Sequence, residues 1–558
     1  MESPTSLEAP PEDSDVAELT KKLAATSASA EKSTGKAVKE WSKAVSPITS
    51  ETINHPGLHP ACLEFAPADL DPKYSAGMRC IAHSYFVVGL YEILPEETKT
   101  AQEADEPTSK DETKECEGGS LAQAVGEGDG ELPTHGEALA NGEVPTGREQ
   151  KRKGGISLYR LEDHQLVWKK DNLQDYGVYD LKFLPHHPIF ATSTTIGTIV
   201  IHQLQAEEIP ETRHWHLTVR EIISHEIFPA GKNLITSIAW QPFRDASDLK
   251  CILAITVDNS GVYLLGFHEN FTRYEILNHG RPLHEHVLKT PYFETKESAY
   301  ACAFSTHAPV KIFSGGDDSL LRASTLSPCI CPGQIRKRPC TEGSTSYKKA
   351  IAQSGVTSIL PLPIYDSSDA WSILLVGSYD GNVYLCTVFD GEKTSADTIT
   401  SFALGGGVYH MKFLQAYPDP KSQTNVESQW DTDNQTDKES QTNMQVSFRF
   451  LACCMYAGAK IMEVSRNKDG VWSFSILAYF KDLVYVEEGK LSVCYAGDVQ
   501  PVPVQMGEET PDYSGQRLCV TSSYDDSKLS LWSFDSGESR SILSPKRKKF
   551  RPLHELLW

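Results

Sequence analysis

Short segments in which apolar and polar residues alternate recur along the chain. They occupy residues 178–183, 235–240 and 300–304, among others, and roughly follow the pattern Val-x-x-Φ-x-Φ, where Φ is apolar or aromatic. Each is followed by a segment of small residues, a tight polar turn and another alternating segment. Alternation with a period of two, interrupted by Asp, Asn and Gly turns, is typical of antiparallel strands joined by hairpins. The pattern predicts an all-β chain.

The alternating unit is present in seven copies. A unit of this size cannot bury its own apolar face, so neighbouring units are expected to stack. Seven four-stranded sheets that close into a ring leave only short, protected edges. We therefore predict a seven-bladed WD40-type β-propeller that forms one domain over residues 51–540. The expected innermost strands lie at residues 61–65, 178–183, 235–240, 300–304, 356–360, 408–413 and, most weakly, 483–486.

Three segments do not follow the repeat. Residues 1–50 are rich in Ser, Thr, Ala, Glu and Lys, and residues 96–150 contain 15 acidic residues against 4 basic ones. Residues 417–444 are polar and contain the sequence Ser-Gln-Thr-Asn twice. Such segments cannot bury enough apolar surface to offset the entropy lost on ordering. We expect a disordered N-terminal tail and two long disordered insertions in the propeller.

The charge balance restricts the class of protein. The net charge of −22 opposes non-specific binding to nucleic acids, which depends on Lys and Arg. The N-terminus lacks the basic start and apolar stretch of a secretory signal, and no apolar run is long enough to cross a bilayer. We expect a soluble, monomeric protein without nucleic-acid or membrane partners, located either in the cytoplasm alone or in the cytoplasm and the nucleus. The basic tail, residues 541–558, contains Pro-Lys-Arg-Lys-Lys, which is either a nuclear import signal or a solvated tail.

The sequence contains no familiar catalytic or metal-binding motif. The G-x-S-x-G elbow, the G-x-x-x-x-G-K-[ST] phosphate loop and the H-E-x-x-H zinc helix are all missing. Thirteen cysteines are scattered through the chain, and the one cluster, Cys329, Cys331 and Cys340, lacks the paired spacing of a zinc site. We expect reduced cysteines, no metal and no cofactor. On motifs alone, the propeller would be a binding platform.

Four turn segments nevertheless contain candidate functional residues: 314–322, 377–380, 405–409 and 522–526. In a WD-type propeller, the turn between the second and third strands lies on the same face as the loop that enters the next innermost strand. The four segments should therefore converge at one mouth of the central channel. This would bring together the carboxylates and phenols of Asp317, Asp318, Asp380, Asp525, Asp526, Tyr379, Tyr409 and Tyr524.

Each of these residues also has an ordinary structural explanation. An Asp in a tight turn accepts backbone N–H bonds and stabilises the hairpin. His410 is either a base or a packed strand histidine. Ser378 and Ser523 have no neighbouring histidine in the sequence, so neither looks like an activated nucleophile.

Taken in order, several segments resemble the WD-repeat family of diphthine methyl ester methylesterases, also called diphthine methyltransferases, of diphthamide biosynthesis. The similar stretches run collinearly from residue 61 to 534. Where the family has Trp-Asp after the Gly-Gly-Asp-Asp turn, this chain has Ala323-Ser324. The similar segments are residues 61–67, 88–93, 155–159, 303–304, 314–322, 377–380, 406–409, 451–458, 482–485 and 523–525.

The resemblance implies hydrolysis of a methyl ester on the modified histidine of translation elongation factor 2, without a cofactor. That side chain carries a trimethylammonium group, which aromatic faces and carboxylates at a channel mouth would attract. The alternative is a non-enzymatic scaffold that binds proteins at the rim of the propeller. For the enzyme, we expect Asp318, Asp380 and His410 to be catalytic, and Asp317, Tyr379, Tyr409, Tyr524 and Asp525 to bind the substrate.

Overall fold

The computed structural model contains seven antiparallel sheets of four main strands, each forming one blade of a β-propeller. The chain divides into two units, Met1–Glu92 with Lys153–Trp558, which contains the propeller, and Ile93–Arg152. The structure describes residues 43–45, 48–53, 57–94, 152–210, 214–242, 251–289, 294–306, 310–328, 339–340, 346–364, 371–389, 395–418, 446–481, 485–486, 490–502 and 515–535.

Two short strands, β1 (Lys43–Val45) and β2 (Thr49–Thr52), come before the first blade. Blade 1 consists of β3 (His59–Phe65), β4 (Tyr85–Ile93), β5 (Arg152–Glu162) and β6 (Gln165–Gln174). Between β3 and β4 lie the helix α1 (Ala76–Ile81), where the Ser75 side chain caps the N-terminus, and a 3₁₀ turn (Ala82–Ser84). Blade 2 consists of β7 (Val178–Phe183), β8 (Ile189–Thr194), β9 (Thr198–Ile209) and β10 (His214–Glu226).

Blades 3 and 4 contain additional short elements. Blade 3 consists of β11 (Ile235–Trp240), β12 (Cys251–Val257), β13 (Gly261–Phe267) and β14 (Tyr274–Ile276), with β15 (His284–Glu285) also paired to β13. Two 3₁₀ turns flank β14 (Glu269–Phe271 and Asn278–Gly280), and a hairpin, β16 (Val287–Lys289) and β17 (Glu294–Lys296), follows β15. Blade 4 then contains β18 (Ala299–Phe304), β19 (Lys311–Gly316), β20 (Leu320–Thr325), the hairpin β21 (Ser327–Pro328) and β22 (Pro339–Cys340), and its outer strand β23 (Ser346–Ala350).

The last three blades complete the ring. Blade 5 is β24 (Val356–Pro361), β25 (Trp371–Ser378), β26 (Asn382–Phe389) and β27 (Ser395–Ala403). Blade 6 is β28 (His410–Pro418), β29 (Val446–Cys453), β30 (Ala459–Arg466) and β31 (Trp472–Phe480). After a hairpin, β32 (Tyr485–Val486) and β33 (Lys490–Leu491), blade 7 contains β34 (Cys494–Val499), β35 (Gln516–Ser523) and β36 (Lys528–Asp535).

The N-terminal strands close the ring. β2 pairs antiparallel with β36 and is the fourth strand of blade 7, while β1 adds a parallel strand to β31 of blade 6. This corrects our expectation of a tail through residue 50, because part of that stretch forms propeller strands. The alternating pattern did not reveal these strands, since β1 and β2 are short and pair with strands more than 400 residues away, β31 and β36.

The hydrophobic core lies between the blades. Seven clusters of buried side chains each join two adjacent blades, and one of them joins blade 7 to blade 1 through residues such as Val520 and Phe65. Each sheet therefore buries both faces against its neighbours. The seven-bladed propeller predicted from the repeat is the fold of this chain.

One predicted strand is placed differently. The innermost strand of blade 7 is β34, and the segment predicted for it, residues 483–486, contributes Tyr485–Val486 to the hairpin β32–β33. The sequence of β34, Cys-Tyr-Ala-Gly-Asp-Val, has small residues where the other copies have large apolar ones, so the pattern missed it. The insertion expected at residues 96–150, the basic tail, and most of residues 1–50 and 417–444 lie outside the described residues.

Candidate functional site

The innermost strands of all seven blades line one central channel. It has a cavity volume of about 310 Å³ and receives side chains from β3, β7, β11, β18, β24, β28 and β34. Since every blade contributes its first strand, equivalent positions of the repeat lie around the channel. The site can therefore be described as layers along these strands.

Seven tyrosines lie together around the channel, and we call them the tyrosine collar. Tyr91 and Tyr179 have ring centroids 5.2 Å apart, and Tyr91 and Tyr524 are also 5.2 Å apart. Tyr495 lies 5.0 Å from Tyr524 and 4.2 Å from Tyr409. Tyr300 and Tyr379 pack edge to face with ring centroids 6.1 Å apart. The collar therefore consists of Tyr91, Tyr179, Tyr300, Tyr379, Tyr409, Tyr495 and Tyr524.

A β-bulge places four residues of the repeat at this level of the channel. The register between the first and second strands shifts across Tyr179, Thr236, Tyr300 and Thr357, so each is the extra residue of its innermost strand. A bulge re-aims the side chain that it carries. Blades 2 and 4 use the position for a tyrosine, and blades 3 and 5 use it for a threonine.

Burial raises the pKa of five phenols of the collar: Tyr91, Tyr300, Tyr379, Tyr409 and Tyr495. Burial and neighbouring tyrosines raise the pKa of Tyr495 to about 12, and burial raises the pKa of Tyr409 well above its usual value. Tyr300 behaves similarly, with its pKa raised to about 12 by burial and by the carboxylate of Asp317. The collar thus presents uncharged aromatic faces to the channel. Tyr379 is exposed, with 37% of its surface accessible.

Two carboxylates accompany the collar. Asp317 is exposed and accepts a hydrogen bond from Tyr300, and partial burial, with the nearby Glu297 and Asp318, raises its pKa. Asp525 is close enough to Tyr495 for its charge to raise the pKa of that phenol. Aromatic faces beside carboxylates make an environment suited to a cation.

Other carboxylates in the turns between second and third strands have a different role. In blade 3, Asp258 accepts a hydrogen bond from the Leu234 backbone N–H, and in blade 7, Asp526 accepts a hydrogen bond from the Ser492 hydroxyl. Each one ties its turn to the segment that precedes the innermost strand of the same blade. This is the structural explanation that applies to Asp in any tight turn.

Asp380 belongs to this second group. Its carboxylate accepts hydrogen bonds from Gln353 N at 2.9 Å, from Asn382 N at 2.9 Å and from the Tyr384 hydroxyl at 2.7 Å. Burial alone would raise its pKa, but these bonds hold the pKa below the usual value. A carboxylate already saturated by donors is a poor base. Its position points to a structural role instead of the catalytic one we predicted.

Asp318 is fully buried beneath its turn. His286 Nδ1 lies 2.8 Å from Asp318 Oδ1, His286 Nε2 lies 3.0 Å from Ser314 Oγ, and Arg322 Nη1 lies 2.6 Å from Asp318 Oδ2. The order Ser-His-Asp matches a catalytic triad in connectivity. However, the side chains of His286 and Asp318 have no exposed surface, and Ser314 is equally buried. This burial favours a structural role for Asp318 over the catalytic one that we predicted, because the network ties β19 to the segment before β18.

A second layer of the channel carries five charged residues, which we call the charged belt: Glu64, Asp180, Lys182, Lys412 and Asp498. Lys412 Nζ lies 2.6 Å from Glu64 Oε1 and 3.3 Å from Asp498 Oδ2, and Lys182 Nζ lies 3.1 Å from Asp180 Oδ1. The carboxylates also receive backbone N–H groups of the next blade. Asp498 accepts from Phe65, Glu64 from Phe183 and Asp180 from Ile238. The belt therefore links blades 7, 1, 2 and 3 in sequence.

His410 lines the channel next to Tyr409. It is partly exposed, and among the described residues no hydrogen bond is formed by its ring. Burial, together with the charges of Lys182 and Lys412, lowers its pKa well below the usual 6.5. His410 is thus a neutral imidazole that faces the cavity.

The structure brings five of the predicted site residues together: Asp317, Tyr379, Tyr409, Tyr524 and Asp525, with His410 deeper in the channel. It separates Asp318 and Asp380 from them. Sequence reasoning missed Tyr91, Tyr179, Tyr300 and Tyr495. A signal was present for three of these, because Tyr179, Tyr300 and Tyr495 each stand second in their innermost strand.

Other chemistry is limited in the described part of the chain. No group of three or more metal-ligating side chains is present there. Cys329 and Cys331 lie outside the described residues. No described helix is both long and apolar enough to span a bilayer.

The chain is similar in sequence to a curated protein. A diphthine methyltransferase of Saccharomyces cerevisiae is 27% identical over 377 residues, which cover 62% of this chain and 84% of that protein. No family model matches the chain.

Among solved structures, a chain of a mitotic checkpoint complex has a TM-score of 0.35 and 9% identity, covering 69% of this chain and 86% of that one. Sqt1 of Saccharomyces cerevisiae has a TM-score of 0.35 and 11% identity, covering 68% of this chain and 80% of that one.

Proposed function

We propose that this protein acts in diphthamide biosynthesis by hydrolysing the methyl ester of methylated diphthine on elongation factor 2. The distant similarity to a diphthine methyltransferase supports the pathway. The observation that carries the proposal further is the tyrosine collar, with Asp317 and Asp525 beside it. Diphthine carries a quaternary trimethylammonium group, and such cations bind best among aromatic faces.

The relative's name describes methyl transfer, while we propose ester hydrolysis. With the cation held at the collar, the ester of the same side chain can extend towards His410 and Lys182. His410 is uncharged and is free to accept a proton from water, and the Lys182 ammonium can stabilise the oxyanion of the tetrahedral intermediate. Water then adds its oxygen to the carbonyl carbon. Methoxide leaves with the proton from His410 as methanol, and the carboxylic acid that remains releases its proton to solvent to give the carboxylate.

The test uses purified protein and elongation factor 2 that carries the methyl ester. We expect methanol release and loss of one methyl group from the factor, without addition of S-adenosylmethionine. His410→Gln should abolish the reaction while leaving binding of the factor intact. Addition of a methyl group that requires S-adenosylmethionine would support the transferase direction instead and reject our proposal.

The scaffold alternative is separated by the same experiment. A scaffold would bind partner proteins but leave the ester intact, and His410→Gln would change neither property. Asp318→Asn serves as a second control, because Asp318 is buried away from the channel. If folded, this variant should retain the activity that His410→Gln loses.

A further inference from the structure

A second cavity of about 350 Å³ lies outside the channel, where blades 2 and 3 meet the segment between β3 and β4. We call it the basic groove. Its charged and polar lining comes from Lys73 and Tyr74 before α1, from His187, Gln203 and Arg220 of blade 2, and from Asn270 after β13. Ligand sites for small molecules typically begin at about 300 Å³.

The groove is cationic although the protein is acidic. The chain has a net charge of −22, yet Lys73 and Arg220 line this cavity and no carboxylate does. Of the acidic residues near Lys73 in the sequence, Asp69 is paired with His186, and Asp71 lies 3.6 Å from Lys73 in a partly exposed ion pair with which a ligand would compete. Arg220 is exposed and forms no ion pair with any described residue. Its guanidinium remains available to a ligand.

The arrangement of donors is fixed by the fold. Arg220 stands directly opposite Gln203 in the antiparallel pair of β9 and β10. A bulge in β10 follows immediately, at Ile222, which also lines the groove. Bulges of this kind re-aim side chains and are frequent beside binding sites. On the floor, His187 is buried and its Nδ1 lies 2.9 Å from the Tyr74 hydroxyl.

The opposite wall is strained. Asn270 and Phe271 have φ values of +61° and +60°, which L-residues rarely adopt in succession. His225 holds them by donating from Nε2 to the Phe271 carbonyl at 2.7 Å. Strained backbone of this type persists where the surrounding structure over-determines it, often at ligand sites. The Phe271 side chain, with Ile189 and Ile222, supplies the apolar part of the lining.

We propose that the basic groove binds a small organic phosphate: the phosphate contacts Arg220 and Lys73, and its apolar part lies against Phe271 and Ile222. A guanidinium pairs with phosphate through two parallel N–H bonds, and an ammonium adds a point charge. An organic phosphate fits this mixed lining better than inorganic phosphate does, because a fully hydrated ion would leave the apolar side chains uncovered. The site is independent of the channel and of the activity proposed for it.

The test is calorimetric titration of the full chain at constant ionic strength with three probes: 1-naphthyl phosphate, inorganic phosphate and 1-naphthol. We expect one saturable site for 1-naphthyl phosphate and weaker binding of the other two. Arg220→Met and Lys73→Met should each weaken 1-naphthyl phosphate binding about ten-fold, as expected for loss of one charged hydrogen bond. Both side chains are exposed, so folding should be unaffected.

Arg281→Met is the matched control, because Arg281 is an exposed arginine of blade 3 that does not line the groove. It should leave the affinity unchanged. Three results would overturn the proposal: no saturable binding of 1-naphthyl phosphate, equal binding of 1-naphthol, or an Arg220→Met variant that binds like the parent.

Discussion

The collar and the belt lie around the same channel, yet they use polar residues differently. In the belt, every carboxylate is engaged by a lysine or by a backbone N–H of the next blade. In the collar, the phenols contact mainly one another, and Asp317 remains exposed. The comparison teaches that charge in a propeller channel is not by itself a sign of a binding site. What distinguishes a candidate site is a polar or aromatic group that the fold leaves accessible.

The largest effect should come from breaking the belt. Asp498 is buried, and its carboxylate binds both Lys412 and the Phe65 N–H. Asp498→Ala leaves the buried Phe65 N–H without its acceptor and removes one of the two carboxylates that balance Lys412, so it should lower the free energy of unfolding by about 3–5 kcal/mol. Urea denaturation of the purified protein measures this. Glu162→Ala removes two partly exposed ion pairs, with Arg160 and Lys169, and should cost about 1 kcal/mol or less. Equal losses for the two variants would contradict a structural belt.

A turn carboxylate should have a smaller effect on stability. Asp380→Ala removes the acceptor of the Gln353, Asn382 and Tyr384 donors. We expect a loss of about 1–3 kcal/mol in urea denaturation and little change in ester hydrolysis per folded molecule. Asp317→Ala should show the reverse, with near-normal stability and a higher KM. If Asp380→Ala abolished hydrolysis in a fully folded protein, our assignment of Asp380 to structure would fail.

The collar can be tested with one pair of variants. Tyr379 is exposed, so Tyr379→Leu should change the free energy of unfolding little. Loss of one cation–π contact should reduce kcat/KM for the methylated factor about ten-fold. Tyr379→Phe keeps the aromatic face and should retain most of the activity. Equal losses for both variants would point to the hydroxyl group instead of the ring.

The smallest effect concerns pH. A general base must be neutral, and the pKa of His410 is held well below 6.5 by burial and by two nearby lysines. As pH falls from about 8 to about 6, His410 therefore stays deprotonated, and kcat/KM should remain nearly constant. An ordinary histidine would be half protonated at pH 6.5. A rate that halves near that pH would show that the base has an ordinary histidine pKa, which contradicts the lowered pKa of His410.

The repeat in the sequence was sufficient for the propeller and for six of its innermost strands, because alternation is strong in segments such as β7 and β11. It failed for β34, where Ala496 and Gly497 replace larger apolar residues. It also failed for β1 and β2, which pair with strands far away in the sequence. Turn chemistry correctly brought attention to the segments around Asp317 and Tyr379. It could not separate Asp317 from Asp318, since one side chain points to the channel and the next is buried beneath the turn.

The tyrosine collar depended on information that a single sequence hides. Tyr179 and Tyr300 reach the channel through a bulge, and a bulge shows only in the pairing of two strands. His286 likewise lies 32 residues before its partner Asp318, so the buried Ser-His-Asp network could not be recognised from spacing.

The decisive measurement is the mass of the diphthamide-site peptide of elongation factor 2 from cells that lack this protein. We predict that this peptide retains the methyl ester and lacks the final amide, and that the parent chain restores normal diphthamide while the His410→Gln variant does not. Fully formed diphthamide in the deficient cells would reject ester hydrolysis as the function of this protein.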